Sequence, residues 1–177
     1  MKHLTTLAAA AAVFAAAPAA QAALAVGAKA PPFTTAASLG GKAMTFDLKA
    51  ALKKGPVVLY FYPAAFTPGC TAEAHAFAEA TDDFRKLGAT VVGVSRDDIE
   101  KLHRFSVSEC RSKFAVASDK DGAITRAYDA VLKRKPEYAD RTSYVIARNG
   151  VIAYEYTNLD ADEHVAKTMA AVRALKK

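Results

Sequence analysis

Cys70 is the residue best placed to do chemistry. It lies in Tyr62-Pro63-Ala64-Ala65-Phe66-Thr67-Pro68-Gly69-Cys70-Thr71-Ala72-Glu73, between an apolar strand-like run and an amphipathic helix-like one. A thiol at a helix N-terminus meets unpaired N–H groups and the positive end of the helix dipole. Both favour the thiolate, which is the nucleophilic form. Cys110 is the only other cysteine in the 177 residues. There is no C-x-x-C, no H-E-x-x-H and no cluster of Cys and His, so no metal site and no cofactor are expected. A structural Cys70–Cys110 disulfide stays open as an alternative. His75, His103 and His164 match no nucleophile–base spacing and are expected to be structural or solvent-exposed.

The elements around Cys70 follow from pattern. Val57 to Tyr62 is a continuous apolar, β-branched and aromatic run, as in a central strand covered on both faces. A helix is expected from about Thr71 to Leu87, with Ala74, Phe77, Thr81 and Phe84 following Cys70 on one stripe. Gly88 stops it, and Thr90 to Ser95 is the next buried strand. A helix from Asp97 or Asp98 to roughly Arg111, a strand Phe114 to Ala117 and a helix from Asp121-Gly122 through Ala130 come next. Ser143 to Ala147 and Val151 to Tyr156 flank Arg148-Asn149-Gly150, a hairpin signal. Asp160 to Lys176 closes the chain as a helix. Upstream, Ala30-Pro31-Pro32 opens the domain as an extended lead-in. Phe33–Ser38 and Lys42–Phe46 read as strands around Gly40-Gly41, and Asp47 caps a short helix through Lys53. The order βαβαβ, then hairpin and helix, predicts a three-layer α/β domain, with Cys70 at the strand ends where such sheets carry their sites.

The first 22 residues read as separate from this domain. Met1-Lys2-His3 is basic, Leu7 to Ala17 is apolar and uncharged, and Ala20-Gln21-Ala22 is a small-x-small cleavage pattern. That is a secretory signal peptide, too short for the roughly 20 residues of a spanning helix. Residues 23–177 are then one exported domain, expected in a bacterial periplasm and without stable membrane insertion. The formal net charge of +6 is scattered, with no basic block among aromatic residues, so nucleic-acid binding is not expected.

Pro63-x-x-x-Thr67-x-x-Cys70 resembles the active-site signature of the peroxiredoxins. The longer stretch Phe61-Tyr62-Pro63, Thr67-Pro68-Gly69-Cys70-Thr71 and Glu73-Ala74 is similar to the bacterioferritin-comigratory, PrxQ-like branch. Arg141-Thr142-Ser143-Tyr144-Val145-Ile146 resembles that family's later strand, which begins with an arginine. The likeness covers about residues 27 to 160. It implies a thioredoxin-like three-layer sandwich with a central mixed sheet and an N-terminal β extension. It implies a thiol-dependent peroxidase acting on hydrogen peroxide and small organic hydroperoxides.

By the same resemblance, Cys70 is the peroxidatic thiol and becomes a sulfenic acid. Thr67 holds the peroxide, with N–H groups of Gly69 and Cys70 as further donors. Arg141 stabilises the thiolate and the transition state, Pro63 limits water access, and Glu73 orients Arg141. Many PrxQ-like proteins carry a resolving cysteine five residues after the peroxidatic one, where this chain has His75. Some relatives place it in the helix that holds Cys110, so Cys110 is the implied resolving thiol, with a thioredoxin-like or other thiol reductant as partner and a monomeric enzyme. A one-cysteine enzyme recycled by an external thiol stays open. So do a thioredoxin-like disulfide oxidoreductase, disfavoured because Thr67 and Glu73 stand where a second cysteine would be, and a non-catalytic domain.

Overall fold

The structure is a computed structural model that describes residues 23–175; the expected signal peptide lies outside the described residues. The elements run β1 (Thr34–Leu39), β2 (Lys42–Asp47), α1 (Leu48–Lys54), β3 (Val57–Phe61), α2 (Pro68–Lys86), β4 (Thr90–Ser95), α3 (Ile99–Ser108), β5 (Ala115–Ser118), α4 (Ala123–Ala127), β6 (Thr142–Ile146), β7 (Ile152–Thr157) and α5 (His164–Ala174). The strands form one sheet in the order β2-β1-β5-β4-β3-β6-β7. β3, β4 and β5 are parallel, and the remaining pairings are antiparallel. This is the mixed sheet with an N-terminal β extension that the sequence implies.

Every residue of β3 is buried, because the strand feeds two cores. Val57, Leu59 and Phe61 face one side with Leu48, Leu52, Ile124 and Tyr128. Val58, Tyr60 and Tyr62 face the other with Cys70, Phe77, Phe84, Leu102, Phe105, Cys110 and Val172. Strict alternation thus places α2, α3 and α5 on one face and α1 and α4 on the other. The two crossovers β3–α2–β4 and β4–α3–β5 step in one direction along the sheet, so a common hand puts both helices on the same face. The stripe Ala74, Phe77, Thr81 and Phe84 is buried as its spacing requires.

The pairing of β6 with β3 sets the site. Thr142 pairs with Phe61 in antiparallel register. The start of β6 therefore lies beside the end of β3, where the chain turns into α2.

Several boundaries differ from expectation, each for a local reason. α2 begins at Pro68, three residues early, because proline at N1 needs no N–H and its φ is already helical. α3 ends at Ser108, so Cys110 lies beyond the helix; Arg111 and Ser112 adopt φ of 48° and 55°, a break no glycine announces. α4 stops at Ala127, ahead of Asp129 at φ 50°. α5 starts at His164 because Asn158 and Asp160 accept from the N–H groups of Asp160 and Asp162 and hold that stretch in turns.

Gly93 on β4 has no room for a side chain. A Cβ there would come within 2.7 Å of the Tyr60 ring, which is wholly buried and stacks on Phe77 at 4.3 Å. Gly93→Ala should therefore cost about 1–3 kcal/mol of stability by overpacking, read as a lower urea midpoint at unchanged slope.

Candidate active site

Cys70 is the third residue of α2, inside its first turn. Thr67 is the N-cap, and its carbonyl accepts from Thr71 N at 2.8 Å. Its side chain makes no cap bond; the hydroxyl donates backward to the Ala64 carbonyl at 2.9 Å. The N–H groups of Gly69 and Cys70 are therefore not taken up by the Thr67 side chain and point along the positive end of the helix. The Thr67 oxygen still has lone pairs with which to accept from an O–H group.

The loop ahead of α2 is tied to β4. Ala65 N donates to Asp97 Oδ2 at 2.7 Å, and Ser95 Oγ donates to the same oxygen at 2.8 Å. Pro63 is half-buried where the chain leaves β3. Phe66 holds φ 67°, which costs a non-glycine residue about 1–3 kcal/mol; its exposed ring meets Phe105 edge-on at 5.2 Å.

Arg141 reaches this turn from the head of β6. Its Nη2 donates to Cys70 Sγ at 3.6 Å, its Nη1 donates to Glu73 Oε2, and its Nε donates to the Leu159 carbonyl at 2.9 Å. Cys70, Glu73 and Arg141 are 2%, 1% and 4% exposed, so all three interactions run in a low-dielectric setting. Gly69 makes room for this: a Cβ there would stand 3.1 Å from Arg141 Nη2. Four of the expected site residues, Thr67, Cys70, Glu73 and Arg141, thus converge on the first turn of α2.

Glu73 faces opposing influences. Burial raises its carboxyl and Arg141 lowers it; burial wins, and the group moves from 4.5 up to about 8. The folded protein therefore binds this proton more tightly than the unfolded chain. The resulting stability is present below about pH 4.5 and drains away as pH rises toward 8.

His164, expected to be structural or exposed, is wholly buried against this site. Its Nε2 meets the Asn158 carbonyl at 2.9 Å, its Nδ1 meets Ser143 Oγ at 2.8 Å, and Glu73 Oε1 lies 3.7 Å from Nδ1. No spacing rule links residue 164 to residues 70 and 73, because the contact depends on α5 packing back over α2 and β6. In the sequence it is one histidine within the last helix-like run and carries no local signal.

Cys110 is not beside the reactive turn in sequence or in setting. Both cysteines are free thiols. Cys110 is wholly buried with Tyr60, Tyr62, Phe105 and Phe114, and burial, helped by Glu109, pushes its thiol far up. A hydrogen bond and two ion pairs clamp its segment to α2: His75–Glu109 at 2.9 Å, Glu79–Arg111 at 3.0 Å and Asp82–Lys113 at 3.0 Å. Positions 75, 79 and 82 share one face of the helix, and 109, 111 and 113 alternate along the facing segment. His75, five residues after Cys70, is thus part of the clamp.

The AhpC/TSA family model matches residues 26–155. Peroxiredoxin Q of the chloroplast in Oryza sativa subsp. japonica is 34% identical over 124 residues, 70% of this chain, and the match spans 57% of the rice protein. The chain thus spans little more than half the length of such curated relatives. Among solved structures, peroxidoxin BcpB from Mycobacterium tuberculosis superposes with a TM-score of 0.78 at 30% identity, covering 86% of this chain and 98% of that one. Peroxiredoxin Q of Xanthomonas campestris gives 0.70 at 29% identity, covering 80% and 91%.

The clamp should set how fast Cys110 is exposed. Exposed pairs are each worth about 0.2–1 kcal/mol, so Glu79→Gln with Asp82→Asn should speed alkylation of Cys110 by about 2- to 30-fold. Raised ionic strength should speed the wild type in the same direction. Both are read by mass spectrometry of timed quenches.

Proposed function

The chain belongs to the AhpC/TSA family, and on that premise we propose that it is a thiol-dependent peroxidase reducing hydrogen peroxide and small organic hydroperoxides. The observation that carries this is the Arg141 fork, which donates to Glu73 and to Cys70 Sγ from one buried guanidinium.

The chemistry follows from that arrangement. The Cys70 thiolate attacks one oxygen of the hydroperoxide, the S–O bond forms as the O–O bond breaks, and the second oxygen leaves as hydroxide or alkoxide and takes a proton. Charge builds on that leaving oxygen, so donors aimed at it lower the barrier. Arg141 supplies them with a permanent charge, and the N–H groups of Gly69 and Cys70 supply more. Thr67 accepts from the hydroperoxide O–H and sets its line of approach, while Pro63 shields the sulfur from water. Cys70 leaves this step as a sulfenic acid.

Cys110 then attacks the sulfenic sulfur, a disulfide forms and water leaves. A thioredoxin-like dithiol returns both thiols and takes the disulfide itself. Resolution requires the Cys110 segment to open, since a neutral buried thiol is no nucleophile. The strained φ at Arg111 and Ser112 and a clamp made of weak surface pairs support such opening. The enzyme acts as a monomer in the periplasm after loss of residues 1–22; among the described residues no helix is long and apolar enough to cross a membrane.

Peroxide consumption by the reduced protein tests the proposal. Cys70→Ser should abolish it, and undiminished turnover in that variant would sink the reading. Arg141→Lys keeps the charge but loses the fork, and should slow the peroxide step by about 100-fold or more. Cys110→Ser should still react once but turn over poorly with a dithiol protein reductant; full turnover makes this a one-cysteine enzyme.

A further inference from the structure

The proposed peroxidatic site has a second layer behind the Arg141 fork. Glu73 offers two oxygens: Oε2 accepts from Arg141, and Oε1 is buried with no hydrogen-bond partner. An ionised oxygen so placed is costly, because nothing replaces the water it has lost. His164 Nδ1 faces it at 3.7 Å.

The tautomer of His164 follows from its partners. A carbonyl can only accept, so the Asn158 contact at 2.9 Å requires the proton to sit on Nε2. Nδ1 is then a lone pair, to which the Ser143 hydroxyl donates at 2.8 Å. Burial, and then Arg141 against the opposing pull of the Asn158 carbonyl, hold the imidazole below its ordinary range, so it is neutral at pH 7. Glu73 Oε1 thus faces an acceptor, an arrangement that suits a protonated carboxyl and penalises a carboxylate.

The groups around the pair come from every packed element. Glu73 and Cys70 face it from α2, Arg141 and Ser143 from the head of β6, and the Tyr156 ring from β7 at 4.8 Å. Asp160, in the turn before α5, acts on His164 electrostatically.

We propose that His164 is a positioning residue of the peroxidatic site: by turning an acceptor and no donor toward Glu73 Oε1 it keeps that carboxyl protonated behind Arg141, and the proton decides how much of the guanidinium charge is left for Cys70. When the proton is present, Glu73 is neutral toward Arg141 and the full positive charge faces the sulfur. When it leaves to solvent, the carboxylate takes a share of that charge and the thiolate loses support. The inference rests on the peroxidase reading for its purpose, but the retained proton on Glu73 is a property of the folded chain.

The test follows Cys70 reactivity, with and without peroxide. In a Cys110→Ser background, Cys70 alkylation against pH should depart from a single titration curve, as two coupled groups require. Glu73→Gln, whose amide carbonyl can serve Arg141 and which carries no titrating proton, should restore a single curve. His164→Asn puts a donor where the lone pair stood, so it should move the second step down by about one pH unit. In parallel, the Glu73 carboxyl carbon and the His164 ring nitrogens should titrate together by NMR in the protein without these two changes. A Glu73 carbon that titrates with no response at His164, or a second step unmoved in His164→Asn, overturns the proposal. Absent peroxide turnover with the two-step alkylation intact would remove the peroxidase reading and keep the protonated Glu73 beside His164.

Discussion

A guanidinium cannot be buried without partners, and this domain supplies them to Arg141 from three directions. Glu73 comes from the first turns of α2, Cys70 from the same helix nearer its start, and the Leu159 carbonyl from the segment after β7. Removing one member of such a buried pair typically costs about 3–5 kcal/mol, whereas the intact pair adds little over a well-packed apolar substitute. Arg141 is thus poorly explained as a device for stability. Its cost is justified by what it fixes: one sulfur held within hydrogen-bond reach of a charge that cannot be lost.

The two thiols have opposite environments within one core. Cys70 sits at a helix start, with N–H groups and a cation around it. Cys110 sits among aromatic rings, next to a carboxylate, and stays a neutral thiol while the fold is closed. Its segment is held by pairs too exposed to be strong and by backbone too strained to be comfortable. The first sulfur is held by rigid positioning, and exposure of the second would require a strained, weakly paired segment to open.

Much of this was legible in the sequence, for reasons of period and chemistry. The apolar run at β3, the stripe on α2 and the Pro-x-x-x-Thr-x-x-Cys spacing are local patterns, and each led to the right element or turn. Arg141 was found by resemblance, because no local rule joins residue 141 to residue 70; the contact exists through the pairing of β6 with β3. His164 lay beyond both routes. A histidine on the last helix carries no signal until α5 packs, and its role depends on a 3.7 Å approach between two buried groups. Helix ends were misjudged where side chains and positive φ at non-glycine residues, as at Arg111 and Asp129, replaced the usual glycine stop.

The antiparallel placement of β6 carries a consequence in time. Chain synthesis delivers Cys70, its helix and both crossovers long before residue 141 exists, and Leu159 and His164 come later still. Until then the sulfur has a dipole beside it but no guanidinium, and before α2 forms it is a thiol like any in an unstructured chain. The contact with Arg141 is therefore missing from every incomplete or unfolded form of the molecule. The sulfur meets its cation only when about the last fifth of the polypeptide has closed over it.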